Sequence, residues 1–128
     1  MTKTILIVED NEASLSLLRD FLEEEGYRVV ATGEGVEAIA LALENVPDLV
    51  LMDIQLPNIS GLVLADFIRG NANLKHIPII AVTAYEVREE EQLLTAKCDA
   101  IVRKPFSFDD LNAAIDKFLS DPRRASLS

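Results

Sequence analysis

Apolar residues in this chain fall into short unbroken runs separated by more widely spaced stripes. Runs of strand length occupy Ile5 to Val8, Arg28 to Ala31, Leu49 to Met52, Ile79 to Val82 and Ala100 to Val102. Several are apolar throughout rather than alternating, which predicts strands covered on both faces. Between them the spacing turns helical. Leu15, Leu18 and Leu22 form one stripe, Val36, Ile39 and Leu43 a second, and Leu111, Ile115 and Phe118 the last. Gly26 stands where a left-handed cap would end the first helix. Ser107, with Asp110 three residues on, predicts a capping box opening the final one. Strand and helix alternate, which predicts an α/β protein with a doubly wound, five-stranded parallel sheet and helices on both faces. Right-handed crossovers leave few topologies, and the order 2-1-3-4-5 is the one expected. No repeat or linker is visible. Residues 1–120 read as one domain and residues 121–128 as a flexible tail, its Arg123-Arg124 pair a solvated end.

Composition narrows the class. The chain has 128 residues and is 49% apolar, enough for one domain with a proper core and too apolar for disorder. No apolar run approaches the roughly 18 to 20 residues of a membrane span. The first residues lead straight into a strand-like run with no signal-peptide pattern. A single cysteine, Cys98, excludes an internal disulfide. A cytoplasmic location is therefore expected, with no membrane partner. The net charge of -10 argues against nucleic-acid binding, which needs a basic face, and favours protein partners or bound cations.

In a doubly wound sheet, function gathers beyond the carboxyl ends of the strands. The first strand brings Glu9 and Asp10 there, the third Asp53, the fourth Thr83, and the fifth Lys104 followed by Pro105. The second brings nothing obviously chemical. Clustered carboxylates repel one another unless some hold protons or a cation neutralises them. With no histidine or thiolate placed to join them, the set does not suit zinc. Oxygen ligands suit Mg²⁺, which keeps waters and leaves room for phosphate oxygens. A carboxylate can act as a nucleophile toward phosphorus. Phosphoryl transfer then asks mainly for positioning and neutralised charge, within the means of Mg²⁺, Lys104 and Thr83.

Four segments carry a family resemblance: Ile5-Leu6-Ile7-Val8-Glu9-Asp10-Asn11, Leu51-Met52-Asp53-Ile54-Gln55-Leu56-Pro57 with Gly61, Val82-Thr83-Ala84, and Lys104-Pro105-Phe106. Together they resemble the response regulator receiver domains of two-component systems, with a flavodoxin-like, CheY-like fold. The match covers about residues 3 to 120. The Asp-Ile-Gln-Leu-Pro and His-Ile-Pro stretches are similar to stand-alone, DivK-like receivers. The resemblance implies a single-domain response regulator of a phosphorelay, a switch rather than a conventional enzyme, with Mg²⁺-dependent self-phosphorylation and self-dephosphorylation. Asp53 would be the phosphoacceptor. Asp10 would hold Mg²⁺ directly, Glu9 through water, and the Gln55 backbone carbonyl would be a third protein ligand. Lys104 would pair with phosphoryl oxygens, and its bond to Pro105 would be cis. Thr83 and the amide of Ala84 would bind the phosphoryl group and bias the following loop. The implied partners are a histidine kinase or phosphotransfer protein and a downstream protein target, the chain being a monomer or weak dimer. With no room for an output domain, output would run through binding, or the protein would relay the phosphoryl group onward. The candidate surfaces are the first helix, with Leu15, Leu17 and Phe21, and the face formed around the fifth strand.

Two positions depart from the pattern. Ile101 stands where receivers commonly carry an aromatic switch residue, so coupling would run differently, with Tyr85 either carrying it or merely covering the site. Lys97 stands where many carry a glycine after the fourth helix, which would strain that cap or move the helix end. Other features have plainer readings. Glu9-Asp10 in isolation could be a capping pair, and Thr83 or Lys104 alone would signify nothing. Cys98 reads as a small core residue, His76 as surface polarity, and Glu89-Glu90-Glu91 as a solvated face. A haloacid-dehalogenase-type phosphatase would want a second acid where Gln55 stands. A pseudo-receiver would be expected to lack an acid or the lysine. The glycines fit neither phosphate-loop nor dinucleotide spacing.

Overall fold

The computed structural model describes residues 2–56, 59–84 and 96–119. Five strands, β1 (Thr4–Val8), β2 (Arg28–Thr32), β3 (Leu49–Asp53), β4 (Ile79–Thr83) and β5 (Ala100–Arg103), form one parallel sheet in the order 2-1-3-4-5. Each contains a run read from the sequence, and Asp53 and Thr83 prove to be the last residues of their strands. Four helices are described: α1 (Glu12–Glu24), α2 (Gly35–Asn45), α3 (Gly61–Gly70) and α4 (Phe108–Leu119).

Strand alternation divides the core between two layers. Ile5, Ile7, Leu49, Leu51, Ile80 and Val82 pack with Leu18 and Leu22 of α1 and Leu111 and Ile115 of α4. Leu6, Val8, Val50, Met52, Ile79 and Ala81 pack with α2 and α3. Both sheet faces are thus covered, which is why the central strands show no polar alternation.

The stripe read for α2 was the wrong one. Val36 and Leu43 are exposed and only Ile39 of the three packs on the core, half-buried, while Ala38 and Ala42 are fully buried in it. The helix buries Ala38 and Ala42 in preference to its larger side chains, a choice that apolar spacing does not register. Caps behave as expected elsewhere. Gly26 has φ +96° beyond α1. The Asp110 amide donates to Ser107 Oγ at 3.0 Å and the Ser107 amide to Asp110 Oδ2 at 3.5 Å. Lys97 is helical and does not take a left-handed φ, so it carries no strained cap. Its ammonium meets Asp66 on α3 at 2.7 Å. Cys98 is buried and His76 exposed. Tyr85, the Glu89 to Glu91 run and the tail lie outside the described residues.

Candidate functional site

Parallel pairing sets the strands in a register that brings their carboxyl ends level. Val8 lies beside Met52, Asp53 beside Val82, and Thr83 beside Arg103. The residue after each strand therefore emerges at one edge. Glu9 follows β1 and its amide donates to Thr32 O at 3.0 Å. Asp10 comes next, exposed, and Asn11 caps α1 by accepting from the Ser14 amide.

These elements assemble one acidic cluster. Carboxylate oxygens of Glu9, Asp10 and Asp53 lie within 4.8 Å of one another. Glu9 and Asp53 are only 4% and 7% exposed. Lys104 joins the cluster, its Nζ donating to Asp53 Oδ2 at 2.9 Å and to Glu9 Oε1 at 3.5 Å. The Lys104 amide donates to Thr83 O at 2.9 Å, tying the β5 end to the β4 end. The Lys104–Pro105 peptide is cis, as the sequence reading expects. Asp53 Oδ1 accepts from the Gln55 amide at 2.8 Å. Thr83 is buried and Ala84 exposed at the same edge. Ile101 sits in mid-β5, half-buried against the α2–α3 layer rather than at the site.

The electrostatics follow from packing acids into a partly dry pocket. Burial pushes the Glu9 carboxyl up to about 7, reinforced by the hydrogen bond and charge of Asp53 and only partly relieved by Lys104. Burial also opposes ionisation of Asp53. Hydrogen bonds from Glu9, Lys104 and the Gln55 amide outweigh it, so Asp53 stays below its ordinary value. For Lys104, burial is overcome by Asp53 and Glu9, which hold the ammonium charged. A proton on Glu9 thus does part of what a cation would do. Three oxygen donors, one of them exposed to solvent, suit Mg²⁺, which keeps several waters.

Beside the cluster a groove of about 490 Å³ runs between α1 and the start of α4, with Leu17, Leu18, Val82, Phe106 and Phe108 among its walls. Phe108 stacks on Phe21 of α1 with ring centroids 4.5 Å apart.

A family model described as the response regulator receiver domain matches residues 5–116. The chain belongs to that family. At 44% identity over 122 residues it resembles the polar-differentiation response regulator DivK of Brucella ovis, covering 94% of this chain and 99% of the relative. The DivK of Brucella anthropi is 43% identical over the same shares. The receiver domain of the Pseudomonas aeruginosa sensor histidine kinase PA1611 superposes with a TM-score of 0.86 at 30% identity, covering 94% of this chain and all of that one. Its structure carries a magnesium ion coordinated in the active-site cleft. TrrA of Thermotoga maritima, solved with Mg²⁺ and a beryllium fluoride, gives 0.83 at 37% identity, covering 92% of this chain and all of that one. The protein is a receiver domain of two-component phosphorelay signalling.

Some of what positions the site escaped the sequence reading. Arg69, near the end of α3, donates to the carbonyls of Lys97, Lys75 and Ile77 and to the carboxylate of Asp99, which also accepts from the Ile79 amide. It anchors the opposite end of β4 and β5. Its partners are mostly backbone oxygens, which leave no mark in a sequence.

Proposed function

We propose that Asp53 is the phosphoacceptor of this receiver domain, served by Mg²⁺ held by Glu9, Asp10, Asp53 and the Gln55 backbone carbonyl. One observation carries the reading: a buried carboxylate with an ammonium at 2.9 Å and two further acids whose oxygens lie within 4.8 Å of its own. Such an arrangement neutralises a phosphoryl group, which is most of what transfer requires. An Asp53 oxygen attacks phosphorus. The bond from phosphorus to the donor's histidine nitrogen, or to an acyl oxygen, breaks and leaves its electron pair with the donor. Lys104 follows the charge onto the phosphoryl oxygens. Mg²⁺, when bound, supplies positive charge and an open position for one of those oxygens.

The incoming group carries nearly two negative charges and more acceptor oxygens than the carboxylate it replaces. Thr83 and the amide of Ala84 then bond to it, and the segment after β4 shifts toward an arrangement that a target protein reads. Pro105 orients Lys104. Tyr85 and Ile101 take the place of the usual aromatic coupling. The donor is a histidine kinase or phosphotransfer protein in the cytoplasm, and exposed Leu17 and Phe108 beside the groove give it apolar footing. Acetyl phosphate serves as a small donor for self-phosphorylation, and the same site returns the phosphate to water. The chain acts as a monomer or weak dimer, with residues 1–120 as the domain.

The test is incubation with acetyl phosphate and Mg²⁺, resolved on a phosphate-affinity gel beside Asp53→Asn. A retarded band in the wild type alone is expected. Equal retardation of both, or of neither, defeats the assignment.

A further inference from the structure

We propose that the β2–α2 turn, Thr32 to Gly35, is a positioning element for the metal site, bracing the acid pair against the loop that follows Asp53. The inference rests on the functional reading above. β2 brings no titratable side chain to the site, yet its turn touches both halves of it. On one side, Thr32 O accepts from the Glu9 amide at 3.0 Å. Gly33 lies so close to the acid pair that a Cβ there would stand 3.4 Å from Asp10 Cα and from Glu9 O. On the other side, Gly35 opens α2 with the Ile59 side chain seated on it. A Cβ at Gly35 would overlap Ile59 Cγ1 outright and lie 2.7 Å from Cδ1.

Ile59 belongs to the loop between β3 and α3 that carries Gln55. That loop ties its own base together through the Gln55 amide to Asp53 Oδ1 and the Gly61 amide to Ile54 O. Ile59 on Gly35 links it to α2, a separate element of the same layer. Ile59 also packs against the core cluster, so it is not a free end that can swing aside. A methyl at position 35 therefore pushes the loop, and the Gln55 carbonyl with it, away from Glu9 and Asp10. Metal affinity responds to such outer contacts because ligand placement, not ligand identity, has changed.

The experiment titrates Mg²⁺ into the unphosphorylated full chain and follows amide NMR shifts. Gly35→Ala is expected to weaken binding about tenfold, the low end for loss of a supporting contact. In Gly35→Ala/Ile59→Ala the new methyl would lie 3.6 Å from residue 59 Cβ, an ordinary contact, so affinity should return to near wild type. Gly70→Ala, with nothing within 4 Å of its added methyl, is the matched control and should bind as wild type. A folded Gly35→Ala with wild-type affinity overturns the proposal, as does a double variant no better than the single. Should Gly35→Ala not fold, Ile59→Ala alone carries the test, since it opens the contact without a clash: weaker binding supports the brace and unchanged binding overturns it. Wild-type protein that binds no Mg²⁺ overturns the functional reading itself, and the brace with it.

Discussion

Arg69→Met should destabilise the fold far more than Asp99→Asn, although the two residues form one ion pair. The pair is partly solvated, the side chains 24% and 38% exposed, and such pairs are worth about 0.2 to 1 kcal/mol. The guanidinium also donates to Lys97 O at 2.9 Å, Lys75 O at 2.9 Å and Ile77 O at 2.8 Å. The bond to Lys75 is exposed, so water replaces it. The other two are partly buried, and hydrogen bonds from a charged donor contribute about 1.5 to 3 kcal/mol each. Freeing the side chain returns about 2 kcal/mol of rotamer entropy. The net loss for Arg69→Met is then about 1 to 5 kcal/mol. Asp99→Asn keeps an oxygen for both Arg69 and the Ile79 amide, and should lose about 1 kcal/mol or less. In urea, with a slope of about 2 kcal/mol per molar, the midpoint should fall by about 0.5 to 2.5 M for Arg69→Met and by about 0.5 M at most for Asp99→Asn. Equal shifts would mean that the ion pair, not the carbonyl bonds, holds this end of the sheet. No shift for Arg69→Met would refute the clamp altogether.

Three further outcomes follow from local geometry. Val46 ends α2 with φ 41°, a left-handed conformation that β-branched residues resist, so Val46→Asn should add about 1 kcal/mol and raise the melting temperature by several degrees; an unchanged or lower melting point counts against this strain. A methyl on Gly61 would stand 2.9 Å from both Asp53 O and Ile54 Cα, so Gly61→Ala should cost about 1 to 3 kcal/mol in urea and slow phosphorylation from acetyl phosphate; a variant matching wild type in both would show that the backbone beside Asp53 yields freely. Burial raises the Cys98 thiol from 9.0 to about 11. The thiol is the form favoured by folding, so its contribution is fully present below pH 9 and is lost as pH rises through about 11. Iodoacetamide at pH 8 should therefore label native protein much more slowly than urea-unfolded protein, and equal rates would contradict the burial.

The sheet was legible because its strands are buried on both faces. Unbroken runs such as Leu49 to Met52 have no competing helical reading of the same length, and chain order with right-handed crossovers then leaves little freedom. The acid cluster was legible for a related reason. Parallel register makes the residue after each strand a neighbour of the others, so Glu9, Asp53 and Lys104 could be placed together before any distance was known. Helix faces were harder to read. Val36 and Leu43 outweigh Ala38 and Ala42 in any measure of apolar spacing, yet the helix turns its small residues inward. What escaped altogether works through backbone or through the absence of a side chain. Arg69 speaks to carbonyls, and Gly35 matters for the atoms it lacks.

The central claim rests on where the phosphoryl group goes. After brief exposure to a phosphodonor with Mg²⁺, the protein can be digested under mild conditions and the adduct located by tandem mass spectrometry. The account predicts a mass gain of one phosphoryl group, carried on Asp53 and lost when Mg²⁺ is chelated before the donor is added. A phosphoryl group found on any other residue, or on Asp53 at full yield without Mg²⁺, would contradict it.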